Sequence, residues 1–481
     1  MAGMAGFHNA LGWAHFRLRG GWKTTMTTTV VYTAIVGGLI LMTVRANPKS
    51  ATQTLQGWTI GLLALQIGAL LLVCSSGIRT AIRKDIDSGL IESHRLMPIS
   101  ERTAIAGYLT GPTVQGIAGA AATFLMGMLT ATGAGLSLFD WLLANLILAI
   151  FAINVWIVTA LLSLVTKGAF AAVVLLFTVA TVSSGMVLVI LPGVTILIGP
   201  ALGPSIFGIV TRGTTWGVEY MVSICAQVIL GGLCYLAAAR KYRRPDMPAF
   251  GVGLGLMIVL TWILLSVVGI LAWAVIQPTF LGRLPSMHPY QITVSTLAAV
   301  VVAIVPLASA IQEQRQWRKR KRLSDPALGR RPITPVLVVL FLAGLILLLP
   351  MFTMRPQDAI HDNLMLIGLA VLTSLLSIRY LVGILQRVTT KIGIMVTIWL
   401  AIIWLGPLLL DLARFGMEGD FDGEVATTIS GGSPIGVLVN ATGEWSFNLI
   451  PGLVAQVLIA AGMAVLFHLT ERGKISDKLA T

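Results

Sequence analysis

Runs of roughly 20 apolar residues recur along the whole chain, and this feature limits the fold more than any other. Each run is long enough to cross a hydrocarbon core about 30 Å thick. The runs must be helices, because lipid offers backbone amides and carbonyls no alternative hydrogen-bond partners. A hydrophobic fraction of 56% and a charged fraction of only 11% exclude a water-soluble domain. The sequence therefore predicts an all-α, polytopic membrane protein with about 12 transmembrane helices.

The predicted spans fall into two sets of six. The first set is 29–44, 57–78, 103–130, 138–165, 169–198 and 219–239, and the second is 251–276, 291–312, 334–353, 364–386, 392–411 and 448–468. Trp216 and Trp445 are 229 residues apart, as are Gln227 and Gln456, which favours a duplication. We expect a first six-helix half over 1–247, with an N-terminal interfacial helix, and a divergent second half over 248–481. The two halves are parallel, because each has an even number of spans.

Lysine and arginine are distributed unevenly between the two sides of the predicted bundle. With the N-terminus inside, all but six of the 33 lie in cytoplasmic segments. We therefore expect cytoplasmic N- and C-termini in a multi-pass protein of the cell (inner) membrane. This asymmetry accounts for the net charge of +14. Since no soluble basic face or nucleic-acid-binding motif is visible, we expect membrane lipids, and no nucleic acid, as partners of the basic clusters.

The chain shows no catalytic, cofactor or metal-binding constellation. A phosphate-binding loop is missing, and the nearest fragment, Gly473-Lys474-Ile475, lacks both the first glycine and the hydroxyl. The six histidines are scattered, and no two share a helix turn as a metal site needs. The predicted spans are also almost free of the mid-membrane charges that ion-coupled carriers use. We expect no enzyme activity, no cofactor and no metal, and an energy source outside this chain.

The connection between the second and third spans, residues 83–102, is more polar and more mixed in charge than any other. Charged and apolar residues fall three and four apart over 89–97, which predicts a short amphipathic helix with its apolar side against the membrane domain. Pro98 ends this helix. Ser100 is predicted to cap the next helix by accepting from a backbone amide two or three residues further on.

This loop resembles the loop between the second and third spans of type-2 ATP-binding-cassette permeases. In that family charged residues precede Gly-x-x-Glu, and a Pro-x-Ser enters the third helix. Gly89, Glu92, Pro98 and Ser100 match the pattern, and small residues follow at Gly107 and Gly111 as in the family. The family's segment is a coupling helix that docks on the ATPase subunit. The resemblance implies this role for Asp87, Gly89, Glu92, Arg95, Pro98 and Ser100.

The resemblance implies the membrane subunit of an ATP-driven exporter that works with a separate ATP-binding-cassette ATPase and performs no chemistry itself. An ion-coupled secondary transporter of the twelve-helix type and a non-transporting membrane assembly protein are the alternatives. The second half departs from the pattern, because the basic run 316–322 replaces Gly-x-x-Glu. Two arrangements stay open: one chain supplies the whole pathway, or permease chains form a homodimer or heterodimer.

Overall fold

The structure is a computed structural model. It describes residues 9–165, 218–280, 287–322, 332–353, 364–388 and 449–479, with isolated positions at 395, 399, 402 and 403. The chain divides between Ala249 and Phe250 into two compact units. Within the described ranges, ten helices are long and apolar enough to cross a membrane, so the protein is an all-α, multi-pass membrane protein. The predicted spans 169–198 and, apart from the isolated positions, 392–411 lie outside these ranges.

The first unit begins with a short helix before its first span. Its helices are α1 (Ala10–Leu18), α2 (Gly21–Ala46), α3 (Ala51–Ile67), α4 (Cys74–Asp87), α5 (Leu90–Leu96), α6 (Glu101–Thr110), α7 (Val114–Gly133), α8 (Leu138–Val165) and α9 (Val218–Arg243). A 3₁₀ turn, Pro48–Ser50, precedes α3. A π-helical segment, Gly68–Val73, joins α3 to α4.

Two predicted spans differ from the observed helices. The predicted span 57–78 is the middle of a longer rod that runs through the π-helical segment to Asp87. The predicted span 103–130 is two helices, because α6 ends at Thr110 and α7 begins at Val114. Pro112 lies between them, and a proline cannot donate to the carbonyl four residues before it.

The core of the first unit is centred on Trp141 of α8, which is fully buried. Its indole nitrogen donates to the Phe124 carbonyl at 3.3 Å. Gly127 lies beneath the ring, and a Cβ there would come within 2.1 Å of it. A single glycine of α7 therefore makes room for the largest side chain of this core.

The second unit comprises five described helices: α10 (Val252–Phe280), α11 (Met287–Arg322), α12 (Pro335–Thr353), α13 (Leu364–Val388) and α14 (Leu449–Leu479). Its core includes fully buried Val259, Leu342 and Leu375. Gly255 lies directly against Pro306 of α11, where a Cβ would come within 2.8 Å of the proline. This close approach ties α10 to α11.

Candidate functional site

The loop between α4 and α6 has the local structure that its sequence predicts. Gly89 has a φ of 74° and precedes α5, a left-handed conformation that glycine adopts without strain. The chain turns extended at Met97, directly before Pro98, so α5 ends there. The Ser100 hydroxyl accepts from the Thr103 amide at 3.1 Å and caps α6. The predicted helix, its end and the predicted cap are confirmed.

The orientation of α5 differs from the prediction. Ile91 is buried, and His94 and Arg95 are partly buried against the bundle. The apolar residues Leu90 and Leu96 are exposed, Leu96 with 88% of its surface. The expectation that the apolar side of this helix faces the membrane domain is therefore wrong except at Ile91. Polar contacts replace apolar packing because the neighbouring helix ends present carbonyls and a carboxylate.

Arg95 attaches α5 to the end of α9. Its Nε donates to the Tyr242 carbonyl at 2.6 Å. That carbonyl belongs to the last turn of α9, where carbonyls have no partner within the helix. The guanidinium also lies 5.6 Å from the centre of the Tyr242 ring and donates to Glu92 Oε1 at 2.5 Å. One side chain thus caps a distant helix and fixes the loop to it.

A buried carboxylate, Asp85, lies beneath α5 and collects groups from three other helices. It is 4% exposed. The Tyr108 hydroxyl of α6 donates to its Oδ2 at 2.7 Å. His15 Nε2 of α1 lies 3.3 Å from the same oxygen without hydrogen-bond geometry. His94 Nδ1 of α5 lies 3.5 Å from it and 3.3 Å from the Tyr108 hydroxyl. We call these four residues the Asp85 cluster.

The Asp85 cluster joins α1, α4, α5 and α6 at a point that water reaches poorly. An ionised carboxylate only accepts hydrogen bonds, so it is matched to the hydroxyl and imidazole groups around it. Among the described residues, no group of three or more His, Cys, Asp or Glu has the arrangement to hold a metal ion. The contacts of Asp85 bring four helices together, and its hydrogen bond from Tyr108 is charge-assisted.

A close helix crossing holds α1 across α6 beside the cluster. The Asn9 side chain caps α1 by accepting from the amides of Leu11 and Gly12, and it donates to the Thr103 carbonyl of α6. A Cβ on Gly111 would come within 2.4 Å of the Gly12 carbonyl oxygen. A Cβ on Gly107 would come within 3.0 Å of the Gly12 amide nitrogen. Gly107 and Gly111, the two small residues of the loop pattern, thus allow α1 to pack backbone to backbone on α6.

The two remaining predicted site residues, Asp87 and Pro98, are exposed, and a further acidic residue, Glu101, follows at the start of α6. Asp87 is the exposed last residue of α4, and Pro98 is exposed directly after α5. Glu101 lies in the first turn of α6, 3.4 Å from Arg243. A hydrogen bond to its own backbone amide, with added attraction from Arg243, lowers the pKa of the Glu101 carboxyl. These residues are neighbours of the cluster but not part of it.

Sequence reasoning missed the Asp85 cluster. His15 and His94 are far apart in the sequence and lie on different helices, but both approach the same carboxylate oxygen. One signal was available: Asp85 lies four and seven residues from Ala81 and Ile78, on one helical face that is otherwise apolar. A carboxylate on such a face indicates a buried, partnered group.

The corresponding segment of the second unit has a different form. Its basic run belongs to the end of α11, which continues as helix to Arg322. Lys321 lies over the Trp317 ring, 5.3 Å from its centre, and the Arg315 guanidinium donates to the Gly383 carbonyl at 2.5 Å. Residues 323–331 lie outside the described ranges. In the part that is described, a straight basic helix end stands where the first unit has a separate short helix.

Comparison of the chain with protein-family models, curated proteins and solved structures gave no match.

Proposed function

We propose that this protein is the membrane-spanning permease subunit of an ATP-driven transporter of the ATP-binding-cassette type. It works as an exporter in the cell (inner) membrane and is energised by a separate ATPase subunit. The loop that carries α5 faces the cytoplasm, as do both termini. The chain binds and moves its substrate without reacting with it.

The observation that carries the proposal is the two-sided character of α5. Its inner side is fixed to the bundle through Ile91, His94 and Arg95. On its outer side Leu90 and Leu96 are exposed, at 48% and 88% of their surface. Apolar side chains that project from a polar loop outside the membrane favour a protein partner. A short helix held rigidly on one side and apolar on the other suits the transmission of force from a soluble domain.

The polar residues of the loop define which partner surface would fit. Asp87 and Glu92 are exposed carboxylates on either side of Gly89. A partner would therefore offer a cleft with apolar walls and a basic rim. The left-handed turn at Gly89 and the stop at Pro98 fix the length of the projecting helix. These roles agree with those that the resemblance implies for the six loop residues.

Site-specific photo-cross-linking in the native membrane tests the proposal. A photoreactive amino acid replaces Leu96 in one variant and Lys49 in a matched control. Lys49 is also exposed but lies in the 3₁₀ turn between α2 and α3, at the other end of the rod. We expect the Leu96 variant to capture a subunit with a phosphate-binding loop and the Lys49 variant not to capture it.

A second measurement separates association from transport. Glu92→Arg inverts the charge on the outer side of α5, and we expect it to remove the ATPase subunit from the purified complex and to abolish ATP-dependent transport. Unchanged association, or transport that continues without a nucleotide-hydrolysing partner, would refute the proposal. Association without any transport would identify an assembly protein instead.

An ion-coupled secondary transporter is the second candidate, and Asp85 is the observation that favours it. A buried carboxylate beside two histidines could exchange a proton in such a carrier, although Asp85 lies in the last turn of α4, beyond the predicted span 57–78, and not at mid-membrane. In vesicles free of nucleotide, transport driven by an imposed proton gradient and abolished by Asp85→Asn would establish this candidate. Transport that requires ATP and is indifferent to the gradient would exclude it.

A further inference from the structure

A groove opens on the side of the first unit between α2, α7 and the rod formed by α3 and the π-helical segment. Its volume is about 680 Å³. Thr28 and Tyr32 form one wall, residues from Gly61 to Val73 form the other, and Gly119 lies at the floor. Sites of about 300–1,000 Å³ with mostly apolar walls are the usual size for small-molecule ligands.

The groove is real space and not a loosely packed helix contact. Added Cβ atoms at Gly61, Gly68 and Gly119 would meet nothing within 4 Å. At Gly116, which also lines the groove, a Cβ would come within 2.4 Å of the Cys74 sulfur. The glycine in contact with another helix is therefore needed for packing, while the other three leave room. Gly61, Gly68 and Gly119 each destabilise their helix by about 1 kcal/mol relative to alanine, and none of them allows two helices to approach more closely.

The π-helical segment shapes the same wall. π-helical turns are rare and occur often at functional sites. Here Leu70 and Leu71 turn into the core, while Leu72 and Val73 face the groove side with about half of their surface exposed. The indole nitrogen of Trp156 donates to the Leu70 carbonyl at 2.6 Å. This bond fixes the widened turn that gives the wall its shape.

The lining of the groove selects for hydrocarbon. No charged residue lines it. Several of its polar groups are already engaged: Tyr32 pairs with Thr123 at 2.9 Å, Thr28 donates to the Thr24 carbonyl at 2.9 Å, and the Gln115 amide donates to the Arg19 carbonyl at 2.8 Å. From Gly61 to Val73 the wall is about 18 Å long at 1.5 Å per residue. One leaflet of a hydrocarbon core about 30 Å thick is of similar depth.

A cation lies beyond the groove on the same rod. Arg79 follows Leu72 by seven residues, two helical turns, and so lies on the same side of the helix. The distance along the axis is about 10 Å. Arginine stays charged in proteins and binds phosphate through paired donors. We propose that the groove binds one acyl chain of an anionic phospholipid whose phosphate lies against Arg79.

If the groove were empty, its walls would lose dispersion contacts. Lipid from the bilayer can therefore occupy it. Apolar attraction alone does not select a particular lipid inside a membrane. Selection must therefore come from the shape of the groove and from Arg79. The site shares no residue with the loop that is proposed to contact an ATPase, so it can be tested without that partner.

Photo-labelling in reconstituted vesicles tests this site. The probes are phosphatidylglycerol and phosphatidylcholine, each with a diazirine on one acyl chain, and labelled peptides are identified by mass spectrometry. For the wild type we expect phosphatidylglycerol to label residues 61–73 and 115–123 preferentially. Gly61→Leu and Gly119→Leu each fill the groove from a different wall and should reduce this labelling about tenfold, equivalent to about 1.4 kcal/mol.

Two controls make the result decisive. Gly57→Leu adds the same side chain one turn before Gly61, where a Cβ also meets nothing within 4 Å but no groove is lined, and it should leave labelling unchanged. Arg79→Gln should abolish the preference for phosphatidylglycerol while acyl-chain labelling persists. The unfolding temperature of each variant confirms that the protein is folded. Equal labelling in the filled variants, or equal labelling by both lipids in the wild type, would overturn the proposal.

Discussion

Replacing Tyr108 with phenylalanine removes one hydroxyl from the Asp85 cluster and leaves the ring in place. The ring is fully buried, and the lost bond is a hydroxyl-to-carboxylate contact of 2.7 Å. Hydrogen bonds to a charged group contribute about 1.5–3 kcal/mol. Because Asp85 keeps both histidines nearby, we expect Tyr108→Phe to lower the free energy of unfolding by about 2 kcal/mol.

Tyr32→Phe is the matched control for this measurement. Its hydroxyl also pairs across two helices, at 2.9 Å, but the partner is the neutral Thr123 hydroxyl. A neutral hydrogen bond contributes about 1 kcal/mol. The two variants remove the same atom, so the difference between them reports the Asp85 charge together with the Tyr108 contact to His94 and its deeper burial.

A double-mutant cycle assigns the energy to the contact. Tyr108→Phe, Asp85→Asn and the double variant are unfolded in mixed micelles of lipid and detergent, and helix content is followed by circular dichroism. We expect a coupling energy of about 1.5 kcal/mol or more between the two sites. A coupling below about 0.5 kcal/mol, or a loss for Tyr32→Phe as large as for Tyr108→Phe, would refute the assignment of a charged joint at this point.

Three further outcomes follow from the loop and the helix crossing. Gly111→Ala should destabilise the first unit by about 1–3 kcal/mol, because the added Cβ would meet the backbone of α1. Gly119→Ala is the control and should not destabilise it, because the added Cβ has open space. Thermal unfolding of both variants tests this. Gly89→Ala should destabilise the loop by about 1 kcal/mol, because alanine at this positive φ is strained. The effect should appear as faster protease cleavage in the loop, and unchanged cleavage would show that the turn relaxes. Since the pKa of Glu101 is lowered, its carboxylate, through the hydrogen bond to its own amide and the attraction to Arg243, stabilises the fold above pH 4.5, the ordinary value. This stabilisation is lost as the pH falls through the folded pKa. Glu101→Gln should reduce the fall in unfolding temperature as the pH is lowered, and an unchanged fall would contradict the reasoning.

The helices and the loop could be predicted because each depends on a local pattern. Apolar runs report the spans directly, since lipid forces the backbone into helices. The Ser100 cap and the stop at Pro98 depend on residues within four positions of each other. The resemblance of the loop to a coupling segment remains a prediction, because local geometry does not show what binds to an exposed surface.

The missed features depend on contacts between distant parts of the chain. Asp85 and His15 are 70 residues apart, and nothing local indicates that α1 folds back beneath α4. The orientation of α5 was mistaken because apolar periodicity assumes an apolar surface to pack on, while this helix packs on carbonyls and a carboxylate. The π-helical segment has no sequence signature, and the groove beside it exists only once three helices have assembled.

The bond from Arg95 to the Tyr242 carbonyl closes the first unit on itself. Tyr242 lies in the last turn of α9. His94, the neighbour of Arg95, approaches Asp85, and so does His15 of α1. In the proposed transporter, a force on α5 would therefore reach both α1 and α9, the first and last described helices of the first unit. Such a force would act on several helices together and not on one span alone.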